Sequence, residues 1–274
     1  MKRMAHRVRS TSHLVRVLTV LAVAAACSAL LLLPANVGAG AATDRMDVPV
    51  RQDLPVPQAT GQAFDGTAAV GALFTESDGK LGSHFCTASV VQSTHGDLAV
   101  TAAHCVTGRT GQIVFVPGYS AGKEPYGVWT VTAVYTDQAW QSAGNVDDDF
   151  AFLRLAGSGS EPVEKVTGAE KLAINPQIPV LVQVIGYPDG GDQPIACVNW
   201  AKEFSATQLV FDCGGYTDGT SGGPFLADVA ASGQGTVIGV IGGYQQGGDL
   251  PQVSYAATFS AATEALFKTA EAAG

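Results

Sequence analysis

Short apolar runs separated by turn residues dominate the chain from about residue 66 onward. Runs of this length, rich in Val, Ile, Thr and aromatics and bounded by Gly, Pro, Asn, Asp and Ser, read as β-strands. Ala68 to Phe74 is the first, and Thr87 to Val91 and Leu98 to Ala102 follow around the polar turn at residues 93–97. Ile113 to Val116, Val128 to Tyr135 and Phe150 to Leu155 complete a first group. Gly157-Ser158-Gly159-Ser160 then reads as a linker. Val180 to Ile185, a hairpin of Cys197 to Phe204 with Gln208 to Cys213, and the β-branched run Thr236 to Ile241 form a second group. Ser260 is placed to cap one helix over 260–272, with Leu266 and Phe267 on its apolar face. The pattern predicts an all-β chain in two groups of strands with a C-terminal helix.

The first 63 residues read differently. A basic stretch to Arg16 precedes an apolar run from Val17 to Leu33, then Pro34 and small residues through Ala42. This is the order of a secretory signal peptide, expected over 1–41, with cleavage after Ala39 or Ala41. A retained membrane anchor is the rival, but the apolar run is short for a span. Lipidation at Cys27 is a second rival, weakened because Leu30 to Leu33 extend the apolar run beyond it. Residues 42–63 are Pro-containing and aperiodic, as in a propeptide or N-terminal arm. The remaining domain, 64–274, divides at the linker into halves of about 64–157 and 160–260.

Composition sharpens this picture. The formal charge is −9, yet the first 41 residues hold five bases and no acid, leaving ten bases against 24 acids beyond them. So acidic a body repels phosphate backbones, which excludes nucleic acid as a partner. Beyond the signal the chain keeps four cysteines, Cys86, Cys105, Cys197 and Cys213. An even count in a secreted chain reads as disulfides, and three pairings are possible. The local pairing, Cys86 with Cys105 and Cys197 with Cys213, closes the two short loops. No C-x-x-C ligand pair suggests zinc, and no metal or cofactor is expected.

The chemistry concentrates in three segments: Thr101-Ala102-Ala103-His104-Cys105, Asp147-Asp148-Asp149 entering Phe150 to Leu155, and Gly219-Thr220-Ser221-Gly222-Gly223-Pro224. A serine nucleophile needs a base in reach and donors aimed at the developing oxyanion. Ser221 is the candidate nucleophile and His104 the base, 117 positions earlier. The amides of Gly219 and Ser221 are the oxyanion candidates. His6 and His13 leave with the signal, and His84 and His95 sit in polar contexts that read as exposed. All three acids compete to orient His104. Asp149 leads, because it alone adjoins the apolar strand. The segment around Ser221 also fits the G-x-S-x-G elbow of α/β-hydrolases, but that family needs a later histidine and none follows Ser221.

With the order His, Asp, Ser, the chain resembles a secreted bacterial serine peptidase of the chymotrypsin fold. The likeness rests on Phe85 to Val91 leading to His104-Cys105, on Asp149 to Leu155, on Gly219 to Pro224, and on Gly239-Val240-Ile241-Gly242-Gly243-Tyr244. It implies two antiparallel six-stranded β-barrels with the active site between them, and a Cys86–Cys105 bridge. It implies a secreted, extracellular monomer acting on protein or peptide substrates, without stable membrane association. Gly215, Tyr216, Gly242, Gly243 and Tyr244 fall at substrate-binding positions. Several family features are replaced. Thr220 stands where many members carry the acid that pairs with a newly cut N-terminus, so activation by a buried amine is not expected. Gly215 stands where trypsin-like members carry the acid that selects Lys or Arg. Ile241 stands where glutamate-specific relatives carry a histidine. A catalytically inactive, peptidase-like binding protein is the alternative from another class.

Overall fold

The structure, a computed structural model, describes residues 58–157 and 159–274. The expected signal peptide, most of the expected arm, and Ser158 of the linker lie outside these residues.

Strands account for most of the regular structure. A two-residue strand β1 (Gln62–Ala63) precedes the first group: β2 (Val70–Ser77), β3 (Lys80–Val91), β4 (Leu98–Thr101), β5 (Gln112–Pro117), β6 (Trp129–Thr136) and β7 (Ala151–Ala156). These six close into a barrel in the order β2-β3-β4-β7-β6-β5. Every residue of β4 is buried, three of them apolar and the fourth, Thr101, with its hydroxyl donating to the Thr87 carbonyl at 2.7 Å. Leu73, Leu98, Phe115, Phe150, Phe152 and Leu153 are fully buried within this barrel or against it. Each such side chain contributes roughly 1.5–3 kcal/mol when taken out of water.

The second group comprises β8 (Lys171–Leu172), β9 (Val180–Gly186), β10 (Ile195–Glu203), β11 (Gln208–Asp212), β12 (Pro224–Ala227), β13 (Thr236–Val240) and β14 (Val253–Ala257). Here the expectation of six strands needs refining. The sheet has eight, in the order β14-β11-β10-β9-β12-β13-β8, with β1 added against β10. Its β13–β8 pairing is parallel. The two ends of the six-strand set meet through a single bridge, Ile241 to Ala256, beside which Gly242 N–H donates to the Tyr255 carbonyl at 3.0 Å. Closure stops there because the chain leaves β13 at Gly242 and Gly243 to form the wall of the central cleft.

Most strand cores fall where the hydrophobic pattern puts them. Four strands do not show in it, two of them, β1 and β8, only two residues long. β12 is four buried residues beginning at Pro224, too short to alternate, and a proline is tolerated at a strand's first position. β14, Val-Ser-Tyr-Ala-Ala, has weak apolar contrast. Three one- or two-turn helices also escape the pattern: α1 (Ala103–Val106), α2 (Gln138–Ala143) and α3 (Val163–Thr167). The last helix, α4 (Ala261–Ala272), is capped by Ser260 and Thr263 in a reciprocal capping box. It crosses back to the first barrel, where Phe267 meets Phe152 at 5.3 Å between ring centroids. Arg154 secures it by bonding both the Ala270 carbonyl and Asp97. Among the described residues, no helix is long and apolar enough to cross a membrane.

Residues 58–63, the end of the expected arm, run along the second sheet. Gln62 and Ala63 pair with Ala196 and Ile195. Gly61 N–H donates to the Gly214 carbonyl at 2.8 Å, and Gly214 N–H donates to Ala59 at 2.7 Å. The Gln58 side chain reaches the Gln252 carbonyl at 2.7 Å.

Candidate active site

His104 sits on α1, the single turn that follows β4. The turn is pinned from below by the Cys86–Cys105 disulfide, and Cys197–Cys213 ties β10 to the end of β11. Of the three pairings open in the sequence, these are the two local ones. Residues 101–103 are fully buried, so the backbone that carries His104 belongs to the barrel core.

Asp149 ends a 3-10 turn, Val146–Asp148, at the mouth of β7 and is 0% exposed. It accepts three hydrogen bonds: from His104 N–H at 2.9 Å, from His104 Nδ1 at 2.7 Å, and from Gly243 N–H at 2.8 Å. These bonds offset the desolvation of a buried carboxylate. A carboxylate only accepts, so Nδ1 carries a proton, and in the neutral imidazole Nε2 is the acceptor. The neighbouring acids face elsewhere. Asp148 is bound by Asn145 Nδ2 at 2.6 Å, and burial, with Asp137 and Asp147 nearby, pushes its carboxyl above the usual range. Asp147 accepts from Gln208 Nε2 at 2.7 Å.

The Ser221 loop depends on two glycines. Gly219 has φ +87°, and a Cβ there would lie 2.5 Å from the Tyr187 carbonyl oxygen. Gly222 has φ +79°, and a Cβ there would lie 2.2 Å from the Thr87 carbonyl oxygen. No other residue type fits either position. Thr87 holds the loop from β3. Its N–H donates to the Ser221 carbonyl at 2.7 Å and its hydroxyl donates to the Gly219 carbonyl at 3.1 Å. Gly222 N–H and Ile241 N–H tie the loop's far side to β13 at 2.7 and 2.8 Å. Among the described residues, the Gly219 and Ser221 amides donate to no protein group. Backbone donors left bare beside a serine form an anion-binding concavity.

His104 and Ser221 line one cavity of about 970 Å³ between the two sheets. Of the sequence-derived substrate positions, Tyr216 lines it, with its hydroxyl donating to the Val184 carbonyl at 2.7 Å. Burial holds that phenol above its usual range. Gly215, Gly242, Gly243 and Tyr244 are not among its lining residues. Gly243 instead holds Asp149, and Tyr244 stacks with Phe204 and Tyr255 in an outer aromatic cluster. The segment Gln245 to Pro251 lines the cavity in their place. Its Gly247-Gly248-Asp249 turn was the available signal in the sequence. Arg109 also lines the cavity, 3.4 Å over the Phe85 ring. Thr87 and Gln208 are two further missed residues. A buried threonine beside Cys86 and a polar residue opening β11 give little sign of such roles.

These features define a class, and comparison with known proteins agrees. A model of the trypsin-like peptidase domain matches residues 86–240, more than half of the chain. The chain belongs to that family of serine peptidases. No curated protein sequence matches it. Among solved structures it is similar to the protease Anisep from Arthrobacter nicotinovorans, with 24% identity and a TM-score of 0.66 over 78% of this chain and 100% of the other. It is similar to the thermostable serine protease AL20 from an extremophilic microorganism, with 24% identity and a TM-score of 0.65 over 76% and 99%. A Glu endopeptidase aligns at 15% identity with a TM-score of 0.61 over 80% and 100%. At such identities these structures share the fold.

Proposed function

We propose that the protein is a secreted serine endopeptidase acting through His104, Asp149 and Ser221. The observation that carries this reading is the buried Asp149 carboxylate. It fixes both His104 N–H groups within the cavity that Ser221 lines. In this mechanism Ser221 Oγ attacks the peptide carbonyl while His104 Nε2 takes its proton. The Gly219 and Ser221 amides hold the oxyanion, and Asp149 stabilises the imidazolium. His104 then protonates the leaving amine. Water activated by the same nitrogen frees the acyl-enzyme.

The two disulfides fit an oxidising compartment, and the N-terminal sequence fits export. Labelling with a fluorophosphonate tests the active centre. Stoichiometric attachment at Ser221, lost in Ser221→Ala together with about 10³-fold or more of the peptide hydrolysis, is expected. An unlabelled, inert wild-type protein would instead favour a peptidase-like binding protein.

A further inference from the structure

A second cavity of about 370 Å³ adjoins the catalytic cleft and shares one residue with it, Asp189. Asp189 stands beside the oxyanion loop. Its N–H donates to the Asp218 carbonyl at 2.7 Å, and a Cβ on Gly219 would lie 2.7 Å from its Oδ1. The cavity's walls are Phe74, His84 and Tyr119, with Asp189 and Asp192 at the rim. The three rings stand edge-on or tilted, with centroids 5.1 to 6.3 Å apart. No lysine or arginine is among the lining residues.

His84 overturns its reading as an exposed residue, for it is only 8% exposed. Its Nε2 lies 2.9 Å from the Gly191 carbonyl, which can only accept, so Nε2 carries a proton. Its Nδ1 has no hydrogen-bond partner. Buried polar atoms are rarely left unmade, and this one wants a donor. Aromatic faces attract a cation, and the rim carboxylate of Asp192 adds to that attraction, whereas Asp189 also faces the charge of Arg109 in the cleft. The Tyr119 phenol is held above its usual range by burial and by Asp192 and Glu124, consistent with negative potential at the mouth.

From this geometry we infer that the cavity takes a basic side chain, Lys or Arg, of the same peptide substrate. The inference rests on the peptidase reading above and deepens it. The side chain belongs to one of the first three residues after the scissile bond. The reason is that the cavity joins the cleft at Asp189, which is bonded to the oxyanion loop through Asp218, and shares no residue with the Gln245–Pro251 wall. Cations are also drawn toward the acidic body as a whole.

The test is a set of peptides differing only in Lys, Ala or Glu at each of those three positions. Binding is measured by calorimetry on the Ser221→Ala protein, and hydrolysis on the wild type. At one position Lys should bind about tenfold tighter than Ala, with Glu weaker than Ala. Wild-type kcat/KM should rank the peptides in the same order. Adding Asp192→Asn should bring the Lys-to-Ala ratio close to one. Equal binding of all three residues at every position would overturn the inference, as would a Lys advantage that survives both Asp192→Asn and Tyr119→Ala. A free lysine amide binding as tightly as the lysine peptide would overturn its assignment to the substrate. Because binding is read without catalysis, a wild type that cleaves none of these peptides and resists fluorophosphonate overturns the peptidase reading and leaves the pocket decided by binding.

Discussion

Single residues decide the chemistry, and the three adjacent acids illustrate how. Asp147, Asp148 and Asp149 have the same side chain and nearly the same place in the chain, yet each meets a different partner. Gln208 takes the first, Asn145 the second, and His104 with Gly243 the third. Asp149→Asn replaces an obligate acceptor by a group that can also donate, which favours the wrong imidazole tautomer. Turnover of a peptide substrate should fall roughly 10⁴-fold. Asp147→Asn and Asp148→Asn should each change it less than about tenfold, since neither touches His104. Steady-state kinetics on the three purified variants check this. Gly219→Ala should cost about 10²–10³ in kcat with the protein still folded. The added methyl collides with the Tyr187 carbonyl and turns away the amide proposed to hold the oxyanion. A near-UV circular dichroism spectrum matching the wild type separates that loss from unfolding.

At the scale of elements, the cleft is shaped by segments that belong to no long strand. The wall from Gln245 to Pro251 is a turn with Gln252 just beyond it, and Gln252 is held by Gln58. Gly214, buried just before Gly215 and Tyr216, has both its backbone groups bonded by residues 59–61. The arm thus props the floor of the cleft with backbone hydrogen bonds, each worth about 0.5–1.5 kcal/mol net. A chain starting at Asp53 keeps these bonds and should match one starting at Thr43 in rate. One starting at Gly66 loses them and leaves a buried Gly214 N–H without a partner. Its KM should rise about tenfold with a smaller change in kcat, as expected when a binding wall loosens while the catalytic groups stay put. A free or acetylated terminus at Asp53 should make no difference, since Thr220 carries no charge with which to form an ion pair to an amine. Progress curves on one peptide for the three proteins measure this.

At the scale of the whole molecule, Glu170 joins the two sheets. Its backbone pairs with Val90 and Gln92 at the end of β3, while its buried carboxylate accepts from Gly235 N–H before β13. One of its oxygens, Oε1, has no partner. Burial raises this carboxyl from 4.5 to about 7, with the Gly235 bond opposing. The folded state therefore holds a proton that the unfolded state has released between these values. Stability from this group is fully present below about pH 4.5 and is lost as pH rises toward 7. The difference is on the order of 3 kcal/mol. Glu170→Gln should remove that dependence. Its melting temperature at pH 8 should exceed that of the wild type by several degrees, and the two should converge near pH 4.5. Calorimetry across this range checks both the sign and the window.

What the sequence determined alone is whatever depends on neighbours along the chain. Short apolar runs between turn residues placed the longer strands, Ser260 marked the start of α4, and two glycines around Ser221 signalled a backbone that only glycine adopts. The family resemblance followed from four short segments and from the order His, Asp, Ser. What only the tertiary structure decided is whatever depends on groups far apart in the chain. β12 and β14 carry little pattern of their own and are strands because β9, β11 and β13 supply their hydrogen bonds. The arm's last six residues look unstructured by composition, yet they are ordered by Gly214 and β10. His84, set among polar neighbours, is buried because Tyr119 and Gly191 close over it from distant turns. In each case a residue's environment is set by atoms on other elements, as by Val184 for Phe225 and by Gly191 for His84, and local composition carries no record of them.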